Sequence, residues 1–127
     1  MCGIAGYFGN KNLDSKTIQK TLSILLRRGP DDQNYKRYQI NEFKNLYFFH
    51  TRLSIIDLNP RSNQPLEDSL FSIIFNGELY NYLEIKKDLE SKGIEFSTHS
   101  DTEVILKGYQ IYGKDLFNIM EGMWALA

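Results

Sequence analysis

The sequence is poor in cysteine and histidine, and these scarcities exclude several kinds of protein. Its single cysteine, Cys2, cannot form an internal disulfide. Two histidines, His50 and His99, provide no HExxH motif, and we predict no metal site. No apolar run approaches the ~20 residues that span a bilayer, and the N-terminus has neither the charged nor the apolar region of a signal peptide. The sequence therefore predicts a cytoplasmic protein.

An excess of charge of one sign is also lacking. Fifteen basic and sixteen acidic residues give a net charge of −1, which predicts no nucleic-acid partner and no membrane partner. The stretch "GYQIYGKD" resembles a phosphate-binding loop, but Asp115 stands where a Ser or Thr hydroxyl should contact magnesium. The glycines of "GIAGYFG" lack the spacing of the dinucleotide fingerprint. We therefore predict no cofactor in this chain.

Apolar residues fall into alternating strand-like and helix-like blocks, which predict a single α+β domain. Strands are predicted at 4–8, in "LYFFHTRLSIIDL", in "LFSIIFNGELY" and, as a core strand, in "GMWALA". A first helix is expected after an N-cap at Asp14 or Ser15, and a second from about 82 to 90, ending at Gly93. Ser100 and Glu103 predict a capping box for a third helix, which Gly113 would end.

The position of Cys2, directly after Met1, favours catalytic chemistry. A cysteine is often only a small hydrophobic residue in a core. If Met1 is removed, however, Cys2 carries a free α-amino group, and such groups have a reference pKa of about 7.7 to 8.0. An amine of this kind can accept a thiol proton near neutral pH, an assistance worth roughly 10² to 10⁴ in rate. The nucleophile and its base would then belong to one residue, and no catalytic histidine is needed.

Six segments of the chain carry a family resemblance: "MCGIAG", "RRGPDD", "HTRLSIIDL", "NQPL", "FNGELYNY" and "SDTEVIL". In this order and spacing they resemble class II glutamine amidotransferase domains, specifically those of asparagine synthetases. The resemblance covers nearly the whole chain. It implies an αββα sandwich of the N-terminal nucleophile hydrolase type, with residues 1–127 forming an incomplete glutamine amidotransferase type 2 domain, truncated at its C-terminal end.

The resemblance also implies roles for individual residues in the hydrolysis of glutamine. Cys2 would be the nucleophile, and Asn76 and Gly77 would form the oxyanion hole, although Asn-Gly is also an ordinary hairpin turn. The substrate-binding residues implied in the same way are Arg52, Leu53, Ser54, Ile55, Ile56, Asn76, Gly77, Glu78 and Asp101.

Three of these residues are charged. Arg52 would hold the α-carboxylate of the substrate through paired hydrogen bonds; the alternative is a surface arginine at a strand edge. Glu78 and Asp101 would bracket the substrate ammonium group. Asp101 also suits the first turn of a helix because of the helix dipole, and both roles can hold together.

The partners implied by the resemblance are glutamine and a synthetase domain, in the same chain or a separate one, and an oligomer is compatible with the sequence. ATP and magnesium are expected only in that synthetase domain, where ammonia would amidate a carboxylate such as that of aspartate. Two alternatives stay open: a non-catalytic pseudo-domain that binds glutamine or a partner, and a structural piece of a larger complex. We expect little glutaminase activity from the 127-residue piece alone, because its last strand would lack later neighbours.

Overall fold

The computed structural model describes residues 2–127, and Met1 lies outside the described residues. These residues form a mixed α+β structure with three antiparallel sheets, which confirms the predicted α+β class. The strands are β1 (Gly3–Gly9), β2 (Asp32–Asn41), β3 (Lys44–Arg52), β4 (Leu66–Glu67), β5 (Ser72–Ile73), β6 (Phe75–Leu79) and β7 (Gly122–Leu126). The helices are α1 (Ser15–Leu25), α2 (Tyr82–Ser91), α3 (Asp101–Tyr112) and α4 (Leu116–Ile119). Within the described part of the chain, every helix is too short or too polar to cross a bilayer.

The first sheet has the order β1-β3-β2, and α1 packs against it. Helix α1 begins as predicted, with the Asp14 side chain accepting a hydrogen bond from the Thr17 backbone N–H at 2.7 Å. Its apolar face buries Ile18 and Leu22 against aromatic side chains of β3. Because β1 runs antiparallel to β3, with Gly3 opposite Thr51, Cys2 is brought to the C-terminal end of β3.

A second core joins β5 and β6 to α2 and α3. Ile85 and Leu89 are buried on α2, as predicted, and the chain leaves this helix through Gly93 at a φ of 85°. Helix α3 ends at Gly113, also as predicted, with a φ of 56°. The buried members of this core are Ile73, Phe75, Leu79, Ile85, Leu89, Val104, Ile105, Leu106, Leu116 and Met120. This packing brings the N-terminus of α3 next to β6.

Two predicted strands differ from the observed ones. The segment 46–58 is a strand only as far as Arg52, because the guanidinium of that residue binds the backbone carbonyls of the following loop. The segment 70–80 is divided into β5 and β6 at Ile74, whose backbone N–H and carbonyl each pair with Ala127 at 3.0 Å. Strand β7 was predicted to be a core strand, which is wrong for the described chain: Met123 is 61 % exposed and Trp124 39 % exposed.

The N-terminus of α3 is capped differently from the predicted capping box. Ser100 is the N-cap, and its hydroxyl accepts a hydrogen bond from the Thr102 backbone N–H at 3.1 Å. The carboxylate of Glu103 instead accepts hydrogen bonds from the backbone N–H groups of Ser97, at 2.9 Å, and Thr98, at 2.6 Å. The reciprocal bond to Ser100 is therefore replaced by two bonds that fix the segment leading into the helix.

Candidate active site

A small cavity of about 50 Å³ lies where the ends of β3 and β1 meet β6 and the N-terminus of α3. All of the site residues predicted from the sequence line it except Ser54 and Asn76. Five further residues line the cavity without a predicted role in the site: Ser62, Gln64, Phe75, Ser100 and Thr102. Segments far apart in the sequence therefore converge on the one cysteine of the chain.

Cys2 is half-buried at this cavity and is held by the backbone of the loop that follows β3. The backbone N–H of Leu53 donates to the Cys2 sulfur at 3.4 Å, and that sulfur lies 3.8 Å from the Leu53 carbonyl oxygen. The Cys2 carbonyl accepts a hydrogen bond from Arg28 Nε at 3.0 Å. The thiol is thereby fixed beside the loop that follows β3.

Two glycines, Gly3 and Gly29, allow the segments that contain them to approach the end of β3 closely. A Cβ atom at Gly3 would lie 2.6 Å from the Thr51 hydroxyl oxygen. At Gly29, in "RRGPDD", it would lie 2.3 Å from the Thr51 carbonyl oxygen. Only glycine permits such close approach of backbone to a neighbouring strand. Both segments can therefore pack on the end of β3, next to Cys2.

Arg52 is 6 % exposed, and its guanidinium is surrounded by oxygen atoms of its own chain. Nη1 donates to the Asn59 carbonyl at 3.1 Å and to Asn63 Oδ1 at 2.6 Å. Nη2 donates to the Ile56 carbonyl at 3.3 Å and to the Asp57 carbonyl. The predicted surface alternative for this arginine is therefore wrong, because the residue organises the loop after β3 from inside.

The loop after β3 supplies the apolar side of the cavity. Leu53, Ile55 and Ile56 line it. Ser54 does not: its backbone N–H donates to Asp31 Oδ2 at 2.7 Å, which ties the loop to the "RRGPDD" segment. The loop is thus held both by Arg52 and by this contact.

Strand β6 contributes Asn76, Gly77 and Glu78. A Cβ atom at Gly77 would lie 2.3 Å from the Met123 carbonyl oxygen, so the contact between β6 and β7 requires glycine. Asn76 and Glu78 share one face of β6, because side chains alternate along a strand, and Glu78 lines the cavity. The Asn76 Oδ1 atom is buried and has no hydrogen-bond partner among residues 2–127. Such a buried amide has unused hydrogen-bonding capacity that a ligand can meet.

The surroundings of Asp101 change the pKa of its carboxyl group. It lies in the first turn of α3 and is almost fully buried. Burial raises the pKa of its carboxyl group, and a hydrogen bond from the Leu79 backbone N–H, at 3.2 Å, opposes that rise. The nearby Glu78 carboxylate raises the pKa further. A cationic group placed between these two carboxylates would relieve their repulsion.

Gln64 is a residue of the site to which sequence reasoning gave no role. It is 5 % exposed, its Oε1 accepts from the Phe75 backbone N–H at 2.6 Å, and its Nε2 donates to the Thr102 hydroxyl at 3.1 Å. These bonds connect the start of β6 to α3. The only signal in the sequence was its place in the "NQPL" segment, which gave no indication of these partners.

His50 lies on β3, two residues before Arg52, and is fully buried. Neither ring nitrogen has a hydrogen-bond partner of normal geometry within the described residues, and desolvation lowers its pKa to about 4. The ring is therefore neutral at pH 7. It packs inside the protein without lining the cavity.

The buried His50 predicts a specific pH dependence of stability. Its pKa is about 4 in the folded protein, against about 6.5 in an unfolded chain, so only the unfolded state gains a proton between these values. The free energy of unfolding should be fully retained above pH 6.5 and fall as the pH decreases towards 4, by about 2 kcal/mol at pH 5. Urea unfolding of the unmodified protein and of His50→Gln at pH 7 and pH 5 measures this difference. Equal pH dependence in both proteins would contradict it.

Comparison with known proteins gives a consistent set of relatives. The sequence model of the glutamine amidotransferase domain family matches residues 1–127 of this chain. Asparagine synthetase (glutamine-hydrolyzing) 1 of Bacillus subtilis is 39 % identical, covering 98 % of this chain and 20 % of that protein. A putative asparagine synthetase (glutamine-hydrolyzing) 2 of Methanocaldococcus jannaschii is 38 % identical, covering 98 % and 27 % respectively. Asparagine synthetase (glutamine-hydrolyzing) 2 of Oryza sativa subsp. japonica is 36 % identical, covering 98 % and 21 %. The chain thus spans about a fifth to a quarter of the length of these relatives.

Proposed function

This chain belongs to the family of glutamine amidotransferase domains, and from that premise we propose that it hydrolyses glutamine with Cys2 as the nucleophile and releases ammonia. The observation that carries the proposal is the convergence of the Cys2 thiol with the Glu78 and Asp101 carboxylates on one cavity. A thiol can attack an amide carbonyl, and a pair of carboxylates suits the ammonium group of an amino acid.

In the proposed mechanism, the α-amino group of Cys2, freed by removal of Met1, takes the proton of the thiol. The sulfur attacks the side-chain carbonyl carbon of glutamine, and the resulting tetrahedral intermediate expels ammonia, which leaves with a proton returned by the amine. Water then cleaves the thioester, giving glutamate and restoring the thiol. Cys2 supplies both the nucleophile of the first step and the base, so His50, neutral and outside the cavity, is not required.

We assign the stabilisation of the intermediate to β6. The side-chain amide of Asn76 and the backbone N–H of Gly77 would donate to the oxygen that becomes negatively charged. The position of Gly77 at the cavity supports this assignment, as does the place of Asn76 beside it on β6, on the same face as Glu78. A donor of this kind is typically worth about 10² to 10³ in rate.

The two charged groups of the substrate require partners of opposite charge. The guanidinium of Arg52 would bind the α-carboxylate, exchanging part of its present contacts with the loop oxygens. Glu78 and Asp101 would bind the α-ammonium group. Apolar side chains after β3 would enclose the methylene groups that join the α-carbon to the side-chain amide. In this proposal the fold around the site is an αββα sandwich of the N-terminal nucleophile hydrolase type.

The ammonia would be used by a synthetase domain, in the same chain or in a separate one. That domain would bind ATP and magnesium and amidate a carboxylate, with aspartate as the acceptor suggested by the relatives named asparagine synthetases. Residues 1–127 would supply only the ammonia. Their role is thus the hydrolytic half of an amide transfer.

Analysis of the reaction products tests whether this chain performs only the hydrolysis of glutamine. The purified chain is incubated with glutamine, ATP, magnesium and aspartate, and glutamate and asparagine are measured separately. We expect a low rate of glutamate release that is lost in Cys2→Ala, and no asparagine. Glutamate formed equally by Cys2→Ala would contradict the nucleophile. Glutamine binding without any turnover would favour the non-catalytic alternative, and asparagine formed by the chain alone would contradict the need for a separate synthetase domain.

A further inference from the structure

We propose that Asp57 is a positioning residue of this site, whose carboxylate fastens the Arg52-bound loop to the N-terminal end of α3. The inference rests on the proposed hydrolysis of glutamine and deepens it, because it concerns how the two charged binding groups are kept at a fixed separation. Asp57 does not line the cavity itself, so it would act through its neighbours.

The side chain of Asp57 connects two distant segments of the chain. Its Oδ2 accepts a hydrogen bond from the His99 backbone N–H at 2.7 Å, across 42 residues of sequence. Its Oδ1 accepts from the Asn59 backbone N–H at 3.2 Å, and Arg61 lies 3.4 Å from Oδ2. The side chain is only 5 % exposed. A buried carboxylate with this set of donors is a structural tie rather than a solvated surface charge.

The backbone of Asp57 contacts Arg52, which stands at the other end of this link from His99. Its φ of 48° lies in the left-handed region, which is uncommon for residues other than glycine. This conformation directs the Asp57 carbonyl to Arg52 Nη2, and the preceding Ile56 carbonyl accepts from the same nitrogen at 3.3 Å. The side-chain bond to His99 holds the same residue whose backbone makes this contact with Arg52.

The segment held by Asp57 leads directly to the acidic side of the cavity. His99 precedes Ser100, the N-cap of α3, and Asp101 follows in the first turn. One carboxylate therefore links the loop that contains the Arg52 contacts to the helix end that presents Asp101. The carboxylate and ammonium of an amino acid are attached to one carbon atom, so groups that bind both must keep a constant separation.

The charge on Asp57 persists at neutral pH. The hydrogen bond from the His99 N–H is the main reason why the pKa of this carboxyl group is lowered to about 2. Hydrogen bonds to an ionised acceptor are roughly twice as strong as those between neutral groups. The tie is therefore present across the pH range in which the proposed reaction would take place.

The test measures the two kinetic parameters of Cys2 modification by a diazo-ketone analogue of glutamine. Asp57→Gly permits the same φ but removes the carboxylate, and we expect it to raise the half-saturating concentration about 10- to 100-fold. The maximal rate should change less than about twofold, because Cys2 and β6 do not touch Asp57. Asp57→Asn keeps both an acceptor oxygen and a tolerance for positive φ, so it should restore most of the affinity.

The matched control is Asp68→Gly. Asp68 also accepts two backbone N–H bonds, from Leu70 and Phe71 at 2.8 Å each, but neither bond reaches the loop bound by Arg52 or the segment that leads into α3. This variant should leave both kinetic parameters unchanged. An unchanged half-saturating concentration in Asp57→Gly, or an equal rise in Asp68→Gly, would overturn the positioning role.

A measurement on the unmodified chain keeps the proposal testable if Asp57→Gly does not fold. The backbone amide of His99 should be protected from hydrogen exchange by its bond to Asp57. Exchange at the rate of an unstructured chain would overturn the tie. Failure of the proposed function has a separate signature, because the unmodified chain would then show no modification of Cys2 by the analogue at any concentration.

Discussion

Replacement of Asn76 by alanine is expected to lower the maximal rate of Cys2 modification by the diazo-ketone analogue about 10²- to 10³-fold. The analogue presents a carbonyl group in place of the glutamine amide, and its oxygen becomes negative as the sulfur attacks. The half-saturating concentration should change little, since a donor that acts mainly on developing charge contributes to the transition state more than to binding. Arg52→Ala should have the opposite pattern, with weaker binding and a smaller effect on the maximal rate.

Asn81→Ala is the control for Asn76→Ala. The Asn81 side chain donates to the Ile119 carbonyl at 2.8 Å and accepts from the Glu121 backbone N–H at 3.0 Å, outside the cavity. Its removal should reduce stability and leave the rate of modification unchanged. A maximal rate in Asn76→Ala equal to that of the unmodified protein would contradict the assignment of the oxyanion hole.

Retention of Met1 is expected to lower the rate of glutamine hydrolysis by roughly 10²- to 10⁴-fold. A peptide bond between Met1 and Cys2 would convert the amine of Cys2 into a non-basic amide nitrogen, and no base would remain on the nucleophilic residue. Expression with an inhibitor of methionine aminopeptidase provides the retained form, and intact mass distinguishes it from the processed form. Thermal melting should be similar for the two forms, which separates loss of chemistry from loss of fold.

Rapid hydrolysis by protein that quantitatively retains Met1 would contradict the amine as the catalytic base. Met1 lies outside the described residues, so this prediction depends on the chemistry of the amino group rather than on a contact of Met1. The geometry of Cys2, held by the Leu53 backbone at the cavity, is what makes such a base useful.

The parts of the fold that were predicted correctly are those with local signals. The spacing of Ile18 and Leu22 identified α1, and that of Ile85 and Leu89 identified α2, because each helix buries one face. Strand β2 was not predicted, since most of its side chains are exposed on both faces and show no alternation of apolar and polar residues. Its position is determined by pairing with β3, which a local pattern cannot reveal.

After β3, a strand is predicted but a loop is observed. Residues 53–58 are rich in leucine and isoleucine, a composition that predicts a continuation of the strand. The segment forms an irregular loop instead, because the Arg52 guanidinium donates hydrogen bonds to the carbonyls of Ile56, Asp57 and Asn59. A single buried side chain decides the conformation here, and the sequence pattern contains no sign of its partners.

The candidate site was predicted in part for a similar reason. The motifs identified Cys2 and the acidic residues Glu78 and Asp101, which line the same cavity. The supporting residues Gln64 and Asp57 were given no role, since each acts through hydrogen bonds to residues 38 or 42 positions away. Tertiary bonds of this kind become visible only when the folded chain is known.

The most direct test of the central claim is peptide mapping after treatment of the folded chain with the diazo-ketone analogue. The account predicts a single modification, on the sulfur of Cys2, in a peptide that begins with Cys2 because Met1 has been removed. Glutamine should protect against the modification, and Cys2→Ser should prevent it. An unmodified Cys2 in folded protein that binds glutamine, or a label on another residue, would contradict the claim that Cys2 is the catalytic nucleophile.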